Sequence, residues 1–241
     1  MSITLEFYFA IFAVLIAGVL RGFSGFGAGM ILVPSLSLLY NPMVAVVTVV
    51  LLEIIPSIQL LPNAISKCHW RSVIPMSVAS IVAIPLGSLI LVNADVDMMR
   101  SIISILVLFC VFILAIGWKY KGTYTKKASV ITGVVSGVIS GATSLGGLPV
   151  ILYYLSGNHQ TKVTRASIVV FLVITVVVSL MTYIMHGIIT SEIILRASLL
   201  APFFIVAIWI GGSLFGKASE ATFRMITLSL LGSVGIAMLF S

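Results

Sequence analysis

Apolar residues fill the chain in long blocks, and polar positions only punctuate them. Blocks near the length that crosses a hydrocarbon layer, about 20 residues at ~1.5 Å of rise each, recur at 43–61, 72–92, 98–118, 166–185, 193–215 and 221–240. Two further blocks, 7–40 and 128–155, overshoot one crossing and carry glycines in their middles: GVLRGFSGFGAGMILVP at 18–34 and GVVSGVISGATSLGGLP at 133–149. Glycine lets the backbone take positive φ and lets other groups approach closely. Each long block therefore predicts two helical pieces meeting at a glycine-rich elbow. Asn41-Pro42 and Pro62-Asn63 read as turns that open and close the second segment. The pattern predicts an all-α integral membrane protein of eight hydrophobic segments.

Composition agrees with that pattern. The 241 residues are 61% hydrophobic and 8% charged, against about 25% charged in a soluble domain, and mean hydropathy is +1.29. No Pro/Ser-rich linker marks a boundary, so 1–241 reads as one membrane domain. The net charge of +7 is spread thinly through short loops, the distribution of topology determinants and not of a nucleic-acid-binding patch. Cys68 and Cys110 have neither metal-ligand nor redox-pair spacing. The N-terminus lacks a basic region and carries Glu6, so a cleaved signal peptide is not expected.

The second half echoes the first. Gly18, Gly22 and Gly27 recur 119 residues on as Gly137, Gly141 and Gly146, Gly87-Ser88-Leu89 recurs 125 on as Gly212-Ser213-Leu214, and Arg100 recurs 124 on as Arg224. The chain reads as two repeats of four segments, 1–120 and 121–241, the first segment of each broken at its elbow. Loop charge then decides how each broken block runs. If each crossed once, basic loop residues would divide seven against five. If each folds back as a hairpin, Lys67, Arg71, Lys119, Lys121, Lys126, Lys127, Lys162, Arg165, Lys217 and Arg224 share one side, and only Arg100 and Arg196 oppose them. Positive charge marks the cytoplasmic side, so hairpins are the expectation. The repeats are then inverted, both termini are non-cytoplasmic, and the two glycine-rich tips approach the midplane, as in secondary transporters.

Arg21 stands alone in the first elbow. A charge at membrane depth costs roughly 2.5–3.5 kcal/mol on insertion scales and is usually paired or functional; guanidinium also matches oxyanions with a planar fork. With Gly22, Ser24, Gly25 and Gly27 of this elbow, and Thr143, Ser144, Gly146 and Gly147 of the second, it makes the candidate anion-binding set. Glu53, near the middle of its segment, is either the standing partner of Arg21 or a carboxylate that couples transport to a proton or other ion. The competing structural reading is that the glycines serve close helix packing and the hydroxyls bond their own backbone. His69, His159 and His186 are too scattered to suggest a metal site, and no cofactor motif or nucleotide-binding loop appears.

GFSGFGAGMILVP at 22–34 and GATSLGGLPVILYYL at 141–155 resemble the paired glycine signatures of the sulfite exporter TauE/SafE family, also described as the toluene sulfonate uptake permease family. The resemblance extends over nearly the whole chain through length, span count and duplicated layout. It departs from the usual pattern at Ala28 and at Leu148 before Pro149. It implies a secondary transporter of the prokaryotic cytoplasmic membrane that moves sulfite, sulfonates or related organosulfur and carboxylate anions, by alternating access at the interface of the two repeats. The expected partners are a small anionic substrate, the bilayer and a coupling proton or ion. A passive anion channel shares the same elbows without coupling. GFSG at 22–25 also matches an intramembrane serine protease motif, with Ser24 as nucleophile and His186 as base, but its echo at 141–147 lacks that form. A purely structural scaffold explains neither Arg21 nor the duplication. Oligomeric state is left open by the sequence.

Overall fold

The computed structural model describes residues 5–25, 27–116, 125–155 and 161–214. The described residues form nine α-helices: α1 Leu5–Ser24, α2 Ala28–Leu39, α3 Pro42–Ile65, α4 Trp70–Asn93, α5 Val96–Ile116, α6 Lys126–Thr143, α7 Gly147–Leu155, α8 Thr161–Met185 and α9 Ser191–Leu214. No strand occurs among them. Six helices, α1, α3, α4, α5, α8 and α9, are long and apolar enough to cross a membrane. The protein is an all-α multi-pass membrane protein. The expected segment at 221–240 lies outside the described residues, together with Lys119, Lys121, His159, Lys217 and Arg224. Pro62-Asn63, expected to close the second segment, lies inside α3, which carries Pro56 and Pro62 and continues to Ile65. Proline removes one backbone donor, a loss that spans tolerate where neighbours satisfy the freed carbonyl.

Both long blocks break at their glycines. Phe9 and Ile16 of α1 line one apolar groove of about 210 Å³ with Ile31, Leu38 and Leu39 of α2. A continuous helix would hold positions 9 and 39 about 45 Å apart. α2 therefore folds back along α1, and its 12 residues, about 18 Å, fall short of the ~30 Å hydrocarbon core. The second block behaves alike: the Ser129 hydroxyl, near the start of α6, bonds the Tyr153 hydroxyl near the end of α7 at 2.8 Å. A helix continued from 129 to 153 would separate them by about 36 Å. Each elbow is a hairpin, the form that the basic loop residues favour.

The helices gather into two compact units. The first contains α1, α2, α5, α9 and α3 as far as Leu52; the second contains the rest of α3 with α4, α6, α7 and α8. In the first unit α1 packs along α9, so closely that a Cβ on Gly22 would strike the Ile208 carbonyl and come within 2.7 Å of the Gly212 nitrogen. A Cβ on Gly18 would lie 2.5 Å from that of Ala207, and one on Gly211 would strike the Val19 carbonyl. In the second unit α4 and α6 repeat the pattern. A Cβ on Gly141 would strike the Ile84 carbonyl and come within 2.8 Å of the Ser88 nitrogen; one on Gly137 would lie 2.8 Å from that of Ala83; one on Gly87 would strike the Val138 carbonyl. Both pairs run parallel. Each α1 position stands 119 before its α6 counterpart, and each α4 position 124 before its α9 counterpart, one residue less than the Gly-Ser-Leu echo suggested. Each unit thus pairs helices from opposite halves of the chain.

The elbows also share their backbone. Gly25 takes φ 82 and Ser144, 119 residues later, takes φ 58; the N–H of Gly25 bonds the Arg21 carbonyl and that of Ser144 the Ser140 carbonyl, both at 2.8 Å. Left-handed backbone is cheap for glycine and costs a serine about 1–2 kcal/mol.

Two predictions follow from these geometries. Gly22→Ala and Gly141→Ala push a methyl into a backbone carbonyl that cannot move alone, so each should destabilise the protein by about 1–3 kcal/mol, while Gly212→Ala, with nothing among the described residues within 4 Å of its new Cβ, should not. Thermal unfolding in detergent tests this, and equal behaviour of all three variants would refute close packing. Ser144→Gly should raise stability by about 1 kcal/mol and Ser144→Ala should not; a glycine variant no more stable than the alanine one contradicts strain at this residue.

Candidate functional site

A helix that stops inside a membrane leaves carbonyls at one end and N–H groups at the other with no intrahelical partner. Each elbow solves this problem differently. In the first, Arg21 occupies the last turn of α1 and is 1% exposed. Its Nη1 donates to the Gly25 carbonyl at 2.8 Å. A cation here faces the negative end of the α1 dipole, which favours it. Two residues beyond Gly25 the chain turns again at Gly27, φ 95, and α2 begins with no side-chain cap on its N-terminus. Among the described residues nothing lies within 4 Å of where a Gly27 Cβ would stand. The elbow therefore sets a buried guanidinium close in sequence to an uncapped helix start and an open space. Both features favour an anion.

The second elbow is neutral. Position 140, the counterpart of Arg21, is serine. Thr143 ends α6, fully buried; its hydroxyl donates to the Ile139 carbonyl at 2.8 Å and accepts from the Leu145 N–H at 3.3 Å. Ser144 holds the left-handed turn. Ser136 donates to the Gly146 carbonyl, and Tyr183 of α8, fully buried, donates to the Gly141 carbonyl at 2.9 Å. Hydroxyls from α6 and α8 thus satisfy carbonyls freed at the break.

The nine predicted elbow residues fall into these two groups. Arg21, Gly25 and Gly27 shape the first elbow, and Ser24 is the last residue of α1. Gly22 lies against the α9 backbone and Gly146 against the Ser136 carbonyl and Ser140, so a side chain at either would collide. Thr143 and Ser144 carry the second turn, and Gly147 opens α7 near Leu172, whose methyl would sit 3.1 Å from a Cβ there. Glu53 sits in α3, 7% exposed; Arg21 and Glu53 are the charged residues buried among those described. His186, the base that the protease reading requires, bonds Ser88 at 3.0 Å.

Tyr183, Ser136 and Ser140 were not anticipated. A tyrosine inside an apolar span is itself a signal, because a buried phenol needs a hydrogen-bond partner. Tyr153 and Tyr154 are buried and anchored: Tyr153 to Ser129, and Tyr154 to Ser72 at 2.6 Å. Ser72 in turn meets Nδ1 of His69 at 2.8 Å.

The chain's similarity to known proteins follows the same elbows. No curated protein and no solved structure matches it. The sequence model of the sulfite exporter TauE/SafE family matches residues 10–238, both hairpins included. An all-helical chain with six spans among its described residues and two glycine-broken hairpins belongs to the sulfite exporter TauE/SafE family of membrane transporters.

Proposed function

We propose that this transporter carries small anions, of the class of sulfite, sulfonates and related organosulfur or carboxylate compounds, by alternating access of two inverted repeats in the cytoplasmic membrane. The observation that carries the reading is Arg21: a guanidinium 1% exposed at the elbow end of α1, close in sequence to an uncapped helix start. Such a charge is expensive to keep at membrane depth unless it is used. In this reading Arg21 supplies the charge, while N–H groups around Gly25 and Gly27 orient the oxyanion. Ser24, Thr143, Ser144, Gly146 and Gly147 form the neutral remainder of the binding set, and Gly22 lets α1 approach α9. Glu53 is the coupling carboxylate or the charge partner of Arg21. The matching contacts of α1 with α9 and of α6 with α4 support a duplicated chain, and the hairpins with ten basic loop residues against two support inversion with both termini outside.

Purified protein should be stabilised by its substrate by mass action, by about 2.7 kcal/mol at a hundredfold excess over Kd. Thermal unfolding across sulfite, short sulfonates and small carboxylates should show one anion raising the apparent midpoint. Arg21→Ala loses the Gly25 bond, worth about 1.5–3 kcal/mol, so its baseline should fall; the decisive quantity is the anion-induced shift, which should vanish. An unchanged shift in Arg21→Ala excludes Arg21 as the ligand. In proteoliposomes, Glu53→Gln should abolish gradient-driven accumulation yet retain exchange of internal for external anion. Absence of any such exchange in the wild type would point to a passive channel.

A further inference from the structure

The second elbow carries no arginine: Ser140 stands where Arg21 stands in the first. A histidine reaches it instead, through a serine. A Cβ on Gly141 would come within 2.8 Å of the Ser88 nitrogen, so α4 at Ser88 lies against the last turn of α6 before the break. The Ser88 hydroxyl, fully buried, meets Nε2 of His186 at 3.0 Å. Tyr183, in the closing turns of α8, fixes that helix to the same place by donating to the Gly141 carbonyl at 2.9 Å. Packing does not call for a hydroxyl at position 88. Its counterpart 124 residues later is Gly212, whose nitrogen stands against Gly22 as that of Ser88 stands against Gly141. The hydroxyl that holds the imidazole is particular to the second unit.

The proton count at this pair is fixed by its neighbours. Ser88 has one hydroxyl proton and donates it to the Pro85 carbonyl at 2.8 Å, a group that can only accept. Nε2 of His186 is then the donor to Ser88. Nδ1 is left to take or release a proton while that bond persists. His186 is exposed and follows Met185, the last residue of the spanning helix α8, so it exchanges protons with water at one membrane surface. Its backbone N–H bonds the Thr182 carbonyl at 3.0 Å, in the closing turn, a helix end that suits a cation. The elements packed around it bring no rival base. α4 from Ile84 to Asn93, α6 from Val138 to Thr143 and α7 from Gly147 to Leu152 carry no titratable side chain, and the Tyr183 hydroxyl is committed to Gly141. Glu192 is the next charged residue along the chain. Histidine is the side chain whose charge changes between about pH 5 and 8.

We infer that His186 is the proton-binding site of the second elbow: protonated, it sets a positive charge one serine away from Gly141, and deprotonated, it leaves that elbow neutral. The inference rests on the reading of the elbows as an anion site. Proton and anion then bind with mutual assistance, each raising the affinity of the other by the same factor. Methanesulfonate and acetate are the probes, because neither changes charge between about pH 6 and about pH 8. The Kd of the purified protein for the one that binds should fall about fivefold or more from the higher to the lower pH. His186→Gln, which keeps a donor for Ser88, should bind weakly and equally at both, and His186→Lys, with a fixed charge, tightly and equally. Adding the anion to lightly buffered wild type should draw protons from solution, and adding it to His186→Gln should not, a difference that a merely structural bond would not produce. With no anion present, nitrogen NMR of labelled histidine should show Nδ1 of His186 titrating while Nε2 stays protonated. An affinity blind to pH, a His186→Gln protein that keeps the pH dependence, or an Nδ1 that does not titrate overturns this inference alone. Loss of the pH dependence in Glu53→Gln but not in His186→Gln would move the proton site to Glu53. Failure of methanesulfonate, acetate and sulfite alike to bind the wild type overturns the elbow reading, and this inference with it.

Discussion

Backbone satisfaction is the constraint on which this structure depends. In hydrocarbon no water takes up a carbonyl or N–H that a helix releases, and each unsatisfied group costs several kcal/mol. A chain that breaks two apolar helices at buried elbows must therefore bring a partner to each break. The first elbow uses a charge, the Arg21 guanidinium on the Gly25 carbonyl. The second uses neutral hydroxyls, Tyr183 on Gly141 and Ser136 on Gly146. These partners are selected first by the need to end a helix, and only afterwards are they available to a ligand. The structural and functional readings of Arg21 therefore describe one side chain in two roles.

Glycine at the elbows answers a second constraint, close approach between helices. Lipid tails are as apolar as leucine, so spans associate through packing and not by expelling water. Removing the Cβ lets α1 meet α9 and α6 meet α4 at the level of backbone carbonyls. Gly18 and Gly22 do this in one half, Gly137 and Gly141 in the other, and the next members of the series, Gly25 and Ser144, begin the turn of the chain. Packing glycines and turning glycines thus follow one another along the same helix. Serine at 144 shows that the turn itself does not require glycine; it requires a residue held firmly enough to accept a left-handed backbone.

Much of this was legible in the sequence, for physical reasons that can be assigned residue by residue. Apolar runs and their glycine interruptions located the spans and both elbows, because membrane depth fixes length and a break needs permissive backbone. The excess of basic loop residues pointed to hairpins, because charge resists translocation. Pro62 misled, since in a membrane a proline can sit within a helix whose neighbours compensate it. The division of labour among glycines was invisible, because a residue without a side chain looks the same whether it faces a carbonyl, as Gly22 does, or open space, as Gly27 does. Tyr183 and Ser136 escaped because their partners are backbone carbonyls, which every residue carries and no sequence pattern marks. The pairing of α1 with α9 and α4 with α6 was hidden too: the 119-residue spacing can be read along the chain, but that it joins helices across the two halves is revealed only by three-dimensional contacts.

The difference between the elbows has a physical consequence for a carrier. Backbone geometry is shared to the level of the left-handed residue and the hydrogen bond that precedes it, yet the position holding Arg21 in one half holds Ser140 in the other. A second buried guanidinium would add another insertion cost of roughly 2.5–3.5 kcal/mol and, in the proposed reading, a second attraction for anions. A carrier has to release what it binds, so an attraction that deepens the bound state without helping the crossing slows turnover. In the proposed reading one charged elbow supplies recognition of an anion, and the neutral one supplies hydroxyls and turn geometry without deepening that well. The two breaks share their backbone geometry, and their difference at one residue assigns charge to only one of them.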